Sequence, residues 1–391
     1  MQIQKFAPIT CMYEKINRTV PGVWPIGIDY GFSGVKGFAP NKYFSFPNCA
    51  LMLKGDEFSL IGDPSPSDIV IRDSEGIWVI GEQALSLMDS DTAHNYEMET
   101  YGRNRYYSPV FRAIMKTGLA FGLMGSQGRA WNPSTDKVVI QTGLPPKHRA
   151  ADSGFLRDAI AGEYNFEVKF GSGPFQRFVF SVRPEDIYIM DQPMGALISS
   201  MKGTDGLDVR SQRSIMVSNT LVMDPGFKTL DICNLFNRRV KDSQTYDNLG
   251  MQEVYSRTAA EILERYHRDM SIPEMQVAVK NGSFNVFDRK NMRTAKIYFE
   301  DIMNQKNHEV CMEALNKILN NYDGLLKHEN LVITGGTGDA WYKYITDYMK
   351  GWQNTLNTIC ANRNDPSISN VFSNVRGYYF WLVDALSRAQ H

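Results

Sequence analysis

The sequence predicts an α/β fold of two related domains, and three observations carry that prediction: a chain of 391 residues, alternation of strand-like with helix-like segments, and an echo between two glycine turns in separate halves of the chain. A hydrophobic fraction of 43% over this length supplies apolar material for about two cores rather than one. Lys+Arg 42 against Asp+Glu 43 leaves a net charge of -1, so no global field draws the chain to nucleic acid or to an anionic membrane. The five cysteines, Cys11, Cys49, Cys233, Cys311 and Cys360, are scattered and never form a CxxC pair, which argues against a zinc site and a disulfide framework. The longest apolar stretch, Ala113 to Met124, is broken by Lys116 and is too short to span a bilayer, and the first residues lack a basic-then-apolar signal pattern. A cytoplasmic protein is the expectation.

Taken in order, Met1 to Pro25 reads as an irregular leader, punctuated by Pro8, Pro21, Gly22 and Pro25 and suited to a flexible arm. Ile26–Tyr30 and Val35–Phe38 follow as strands joined by Gly31-Phe32-Ser33-Gly34, a composition that suits a tight hairpin with positive φ. Ser108-Pro109 caps an apolar-periodic helix through Met124. Val138–Leu144 is a β-run closed by Pro145-Pro146, and Gln176–Val182 and Ile187–Met190 are further strands. The spacing then predicts helices over Gln252–Asp269, Glu309–Tyr322 and Asp339–Lys350, with a buried strand at Leu331–Thr334.

The internal echo aligns Ile28-Asp29-Tyr30-Gly31-Phe32-Ser33-Gly34-Val35-Lys36 without gaps on Met223-Asp224-Pro225-Gly226-Phe227-Lys228-Thr229-Leu230-Asp231. Each copy ends an apolar strand on an aspartate, turns on a glycine and resumes an apolar strand, as two duplicated domains would to present facing hairpins to one ligand. Backbone N–H groups in such turns form a donor nest for phosphate oxygens, and a strand-end carboxylate can hold Mg²⁺ through its water shell. A single Asp-x-Gly is usually an ordinary turn. Two in register, each after an apolar strand, point instead to polyphosphate and metal. A third glycine-rich element, Thr334-Gly335-Gly336-Thr337-Gly338-Asp339, ends a strand and opens a helix, where backbone can approach an anion or a flat ring closely. No GxxxxGK[ST] and no strand-linked GxGxxG occurs, which removes the P-loop and dinucleotide-binding classes.

These three segments resemble the phosphate-1, phosphate-2 and adenosine motifs of the actin, heat-shock chaperone and sugar-kinase superfamily. The Thr229-Leu230-Asp231 ending, the Gly143-Leu144-Pro145 strand end and the Gly377-containing final helix are similar to the ParM-type bacterial actins that segregate plasmids. The resemblance implies an actin-like, ribonuclease H-like duplicated fold with a nucleotide cleft between its domains, holding ATP or GTP with Mg²⁺. By it, Asp29 and Asp224 organise the Mg²⁺ water shell and Lys36 contacts the β- and γ-phosphates. Gly31, Phe32 and Ser33 with Gly226, Phe227 and Lys228 cradle the phosphates, backed by Thr229 and Asp231. Gly335, Gly336, Thr337 and Gly338 serve the nucleoside end. Gln192, in Met190-Asp191-Gln192-Pro193, stands where the superfamily keeps its water-orienting side chain, and makes a third catalytic candidate beside Asp29 and Asp224. The competing reading has Gln192 or Asp191 merely capping the next helix. Lys228 departs from the small residues common in its turn, and reads either as a phosphate contact or as a solvated lysine.

Motif order places a leader at 1–21, domain I at 22–191 plus 359–391 and domain II at 192–358, each with an inserted small subdomain. The chain would cross between them twice and form a hinge. The expected function is an ATPase that polymerises into dynamic filaments for plasmid or DNA segregation, with itself as main partner and a DNA-bound adaptor as second. No direct nucleic-acid or membrane contact is expected. A small-metabolite kinase is the enzyme alternative, though no second-substrate constellation is evident, and a cytoskeletal actin homologue without a segregation role is another; a chaperone ATPase ranks below them. Tyr378-Tyr379-Phe380-Trp381 is expected to pack the last helix on domain I. Arg103 and Arg105 with Tyr106-Tyr107 read as a protein interface or a satisfied surface rather than a nucleic-acid patch.

Overall fold

Two sheets with the same strand order form the frame of the chain, in a computed structural model that describes residues 2–53, 65–88, 92–93, 96, 100, 102–126, 128–288, 292–352 and 356–390. In chain order the strands are β1 Cys11–Glu14, β2 Val23–Tyr30, β3 Gly34–Ala39, β4 Lys42–Pro47, β5 Ala50–Leu53, β6 Ile69–Asp73, β7 Gly76–Ile80, β8 Lys137–Leu144, β9 Gly162–Phe170, β10 Gln176–Val182 and β11 Ile187–Asp191. The second half adds β12 Thr220–Pro225, β13 Thr229–Phe236, β14 Arg239–Asp247, β15 Ser283–Asp288, β16 Arg293–Tyr298, β17 Asn330–Ile333 and β18 Asn357–Cys360. The helices are α1 Glu82–Leu87, α2 Pro109–Leu123, α3 Pro146–Ile160, α4 Gln192–Met201, α5 Met251–Tyr266, α6 Ile272–Asn281, α7 Glu300–Asn321, α8 Gly335–Tyr348 and α9 Ser373–Ala389.

The first sheet runs β1-β4-β3-β2-β8-β11 and the second β14-β13-β12-β17-β18. Apart from β1 they are copies: an antiparallel three-strand meander, then two strands parallel to its first member. The register repeats as well, with Asp29 opposite Lys36 in one hairpin and Asp224 opposite Asp231 in the other. A separate sheet, β10-β9-β6-β7-β5, is inserted in the first half, and helices with the β15–β16 hairpin are inserted in the second.

Helices after each sheet are exchanged. α4 follows β11 of the first sheet but buries Ala196 and Leu197 against Val222, Cys233, Val332 and Ile359 of the second sheet and its flank. α9 follows β18 of the second sheet but packs Val375, Tyr378, Tyr379 and Phe380 with Phe38 and Tyr43 of the first. Close approach explains the glycines here. A Cβ on Gly27 would lie 2.5 Å from the Val375 carbonyl oxygen, and one on Gly377 would lie 1.8 Å from that of Gly195. Trp381 is the exception to the expected aromatic packing: it is half exposed, with the Arg388 guanidinium 5.8 Å over its ring.

The Ser108 cap is present, its hydroxyl accepting from the Phe111 amide at 3.0 Å. Other expectations are corrected. Residues 1–21 are not an irregular leader through the described part: Ile3–Phe6 form a 3-10 turn with Ile3 and Ala7 buried in the second half's core, and β1 pairs with β4 on the edge of the first sheet. Its prolines lie outside both structured pieces, which is why they misled. The hairpin at residues 31–33 uses no positive φ; Gly31 is needed because a Cβ would come 2.8 Å from the Gly34 carbonyl oxygen. The helix over 252–269 stops at Tyr266, where His267 turns left-handed at φ 54°, and a capping box on Ser271 and Glu274 starts α6.

Candidate functional site

Both hairpins open onto one cleft of about 600 Å³, whose walls include Asp29, Gly31, Phe32, Ser33 and Lys36 from the first and Asp224, Gly226, Phe227, Thr229 and Asp231 from the second. β2 and β12 bury all their residues but Val23, so each strand can carry an aspartate at its end only because the strand stops at the cleft. An amide side chain from the start of a crossing helix then holds each aspartate. Gln192 donates from Nε2 to Asp29 Oδ1 at 2.9 Å, and Asn374 donates from Nδ2 to Asp224 Oδ2 at 2.7 Å. Gln192 is the first residue of α4 and Asn374 the second of α9, so the duplication extends from the sheets to the groups that orient the carboxylates. Asp191, the N-cap of α4, makes no side-chain capping bond; its carboxylate takes the Arg149 guanidinium at 2.6 Å.

The site is electrically divided. Burial, with the nearby Asp29 charge, pushes the Asp224 carboxyl up to about 6 against the pull of Asn374 and Lys36. Burial first, and then Asp224, holds the Asp231 carboxyl well above the usual carboxylate range. Among the described residues Lys36 alone, with Nζ 3.6 Å from Asp29 Oδ2, pairs with this acidic floor. A carboxylate set short of positive charge fits a hydrated divalent cation, and no cluster of three or more His, Cys, Asp or Glu among the described residues could cage one without water.

The third glycine element closes one end. Gly335 adopts φ 80°, and a Cβ there would sit 3.1 Å from Asp224 Oδ1; Thr337 donates from Oγ1 to the Gly226 carbonyl at 2.8 Å, tying this turn to the second hairpin. Gly335, Gly336 and Thr337 line the cleft with Gln192. Gly338 and Lys228 are not on its wall. The Gly338 Cα faces β17, where a Cβ would meet Ile333 Cγ2 at 3.1 Å, so this glycine serves helix-to-strand packing. Lys228 of the second hairpin holds its Nζ 5.3 Å over the Phe32 ring of the first.

Sequence reasoning missed several wall residues. Asn374 and Ser369 lack any motif. Gln4 to Ile9, Cys11 and Tyr13 line the cleft from the segment read as a leader. Arg105, read as surface or interface, is buried and on the wall, its guanidinium 4.5 Å over the Phe32 ring. Tyr106 is buried and Tyr107 exposed beside Phe155; the Arg103 side chain lies outside the described residues.

Residues 27–195 match the family model described as the actin like proteins N terminal domain, beginning within β2 and ending within α4. The fold is actin-like. The actin-like chain superposes on the pCBH ParM non-polymerisable quadruple mutant with TM-score 0.68 at 20% identity, over 92% of this chain and 98% of that one. It superposes on ParM from a 15-stranded Clostridium botulinum filament with TM-score 0.66 at 18% identity, over 92% and 98%. An archaeal actin homologue in complex with ADP matches with TM-score 0.60 at 14% identity, over 94% of this chain and 100% of that one. No curated protein sequence matches the chain. Among the described residues no helix of this actin-like chain is long and apolar enough to cross a membrane.

Proposed function

We propose that this chain is an actin-like ATPase that closes its two domains on Mg²⁺-ATP and assembles with itself into filaments, in the service of plasmid or DNA segregation. The observation that carries the reading is the pair of facing Asp-x-Gly hairpins, each with its aspartate held by a helix-borne amide, on the two sides of one cleft. We assign domain I to 22–191 plus 359–391 and domain II to 192–358, a division that the exchanged packing of α4 and α9 supports, except that its last boundary falls inside β18, whose Ile359 and Cys360 pair within the second sheet. An archaeal relative in fold is known with ADP and a ParM relative as a filament, which supports nucleotide and self-association here.

In this reading the hairpin amides at 31–33 and 226–228 receive phosphate oxygens, Lys36 neutralises them, and Gly335 to Thr337 lie along the nucleoside. Asp29 and Asp224 would hold Mg²⁺ through water, and the ion would supply charge neutralisation on the phosphates. Gln192 orients the attacking water without being a base strong enough to make the reaction fast. Sedimentation with Mg²⁺-ATP, Mg²⁺-ADP and no nucleotide tests the proposal. Polymer in the ATP tube is expected. A chain that remains monomeric well above micromolar concentration while phosphorylating a small metabolite overturns it in favour of a kinase.

A further inference from the structure

Among the described residues Arg105 is a buried cation without a counterion. Its residue exposure is 7%, and among the described residues no carboxylate stands within ion-pair distance of it and its Nη1 has no hydrogen-bond partner. The guanidinium is instead stacked among rings, 4.5 Å from the Phe32 centroid, 5.2 Å from Tyr106 and 5.8 Å from Phe111. Rings attract a cation through their faces but accept none of its five N–H donors well, so the desolvation of the charge is only partly offset. A buried, unpaired charge is costly, and one held at the wall of a cleft points to an ion of opposite sign that binds there. The position says which ion. Phe32 is the middle residue of the first hairpin turn, Arg105 lies on the wall of the same cleft, and the acidic floor formed by Asp29, Asp224 and Asp231 suits the metal rather than the anion.

We infer that Arg105 is a phosphate-binding residue of the cleft, held by the Phe32 ring so that its free N–H groups meet the oxyanions of a nucleotide's phosphate chain. The inference rests on the nucleotide reading above. It adds a cation contributed from outside the three glycine elements, by the 3-10 turn Arg103–Tyr107 that precedes α2. Stacking on the hairpin also links the two: a phosphate drawn to Arg105 presses the guanidinium on Phe32 and so on the turn whose amides bind the same phosphates.

The test measures binding of Mg²⁺-β,γ-imido-ATP, Mg²⁺-ADP, adenosine and inorganic tripolyphosphate to the full chain and to Arg105→Gln and Arg105→Lys, with adenosine assayed by competition. Charge-assisted hydrogen bonds to phosphate predict that Arg105→Gln weakens the imido analogue on the order of 10- to 100-fold and leaves adenosine unchanged. Arg105→Lys, which keeps the charge and stem, should restore part of the loss, and it also serves if the Gln variant fails to fold. Equal losses for adenosine and the triphosphate, or none for either, would show that Arg105 only shores up Phe32 and would overturn the proposal. A wild-type chain that binds tripolyphosphate but no adenosine nucleotide refutes the nucleotide reading while Arg105 stands, provided Arg105→Gln abolishes that binding. Binding of neither overturns both.

Discussion

Gln192 and Asn374 make the same contact in the two halves, yet only one can sit over the bond to be broken if a single nucleotide fills the cleft. Gln192 stands beside Asp29, Lys36 and the first hairpin, and Asn374 beside Asp224 and Gly335, at the side where Ser369 and Val371 also line the wall. Under the proposed function the pseudo-symmetry divides labour between two amides: one would face water at the phosphates, the other would hold a metal-side carboxylate. Gln192→Ala should slow phosphate release on the order of 10²-fold with little change in nucleotide affinity, so that ATP polymers form and persist. Phosphate release followed alongside light scattering checks this, and normal release with normal disassembly would take Gln192 off the catalytic list. Asp29 and Asp224 were legible in the sequence because each ends a strand in a repeated pattern. Asn374 was not, because an asparagine near a helix start has many commoner uses than holding a carboxylate from an element 150 residues away.

At the scale of elements, the contact between α4 and α9 decides how the halves are joined. Gly195 and Gly377 allow the two backbones to touch, and Gly143 and Gly195 leave room for the Tyr378 side chain, whose hydroxyl a Cβ on Gly143 would meet at 2.0 Å. Below this contact the Arg376 guanidinium is fully buried and donates to the carbonyls of Ser199, Lys202 and Gly203, fixing the end of α4 against α9. Gly377→Ala has no space to relax into, because the nearest atom is backbone. It should lower stability by about 1–3 kcal/mol or more and force the helices apart, seen as a fall in Tm. An unchanged Tm would mean that the crossing is looser than it stands here. The central strands and α2 were readable from apolar runs and a Ser-Pro cap, since burial on both faces leaves an uninterrupted signal. β9, β14 and the β15–β16 hairpin were not, because sheets that show a face to water carry mixed residues such as Arg239-Val240-Lys241-Asp242.

For the whole molecule, the segment before β2 changes what the two halves can do. Ile3, Ala7 and Phe6 are anchored in the second half, where Tyr255 donates from Oη to the Phe6 carbonyl at 3.1 Å. Residues 11–14 are anchored in the first, and between them the Thr10 amide donates to Glu82 Oε1 at 2.7 Å. Glu82 in turn meets Lys280 of α6. Ile3→Asp puts a carboxylate in an apolar pocket and should free this end: hydrogen exchange at residues 3–10 rises and the ligand-free radius of gyration by small-angle scattering increases. Faster exchange without any expansion would show that the segment follows the domains rather than holding them. The sequence could not disclose this, since proline-punctuated chain looks alike whether it is pinned or loose. The geometry of attachment has a mechanical result. β1 lies at the edge of the first sheet opposite β11, from which the chain passes into α4. Two bodies fastened at two separated places keep one easy rotation, about the line joining the fastenings. The line from the α4–α9 crossing to the β1 edge is therefore the axis about which the jaws of this molecule swing most easily, as a door swings on two pins, while motions that pull the halves apart at either pin are resisted.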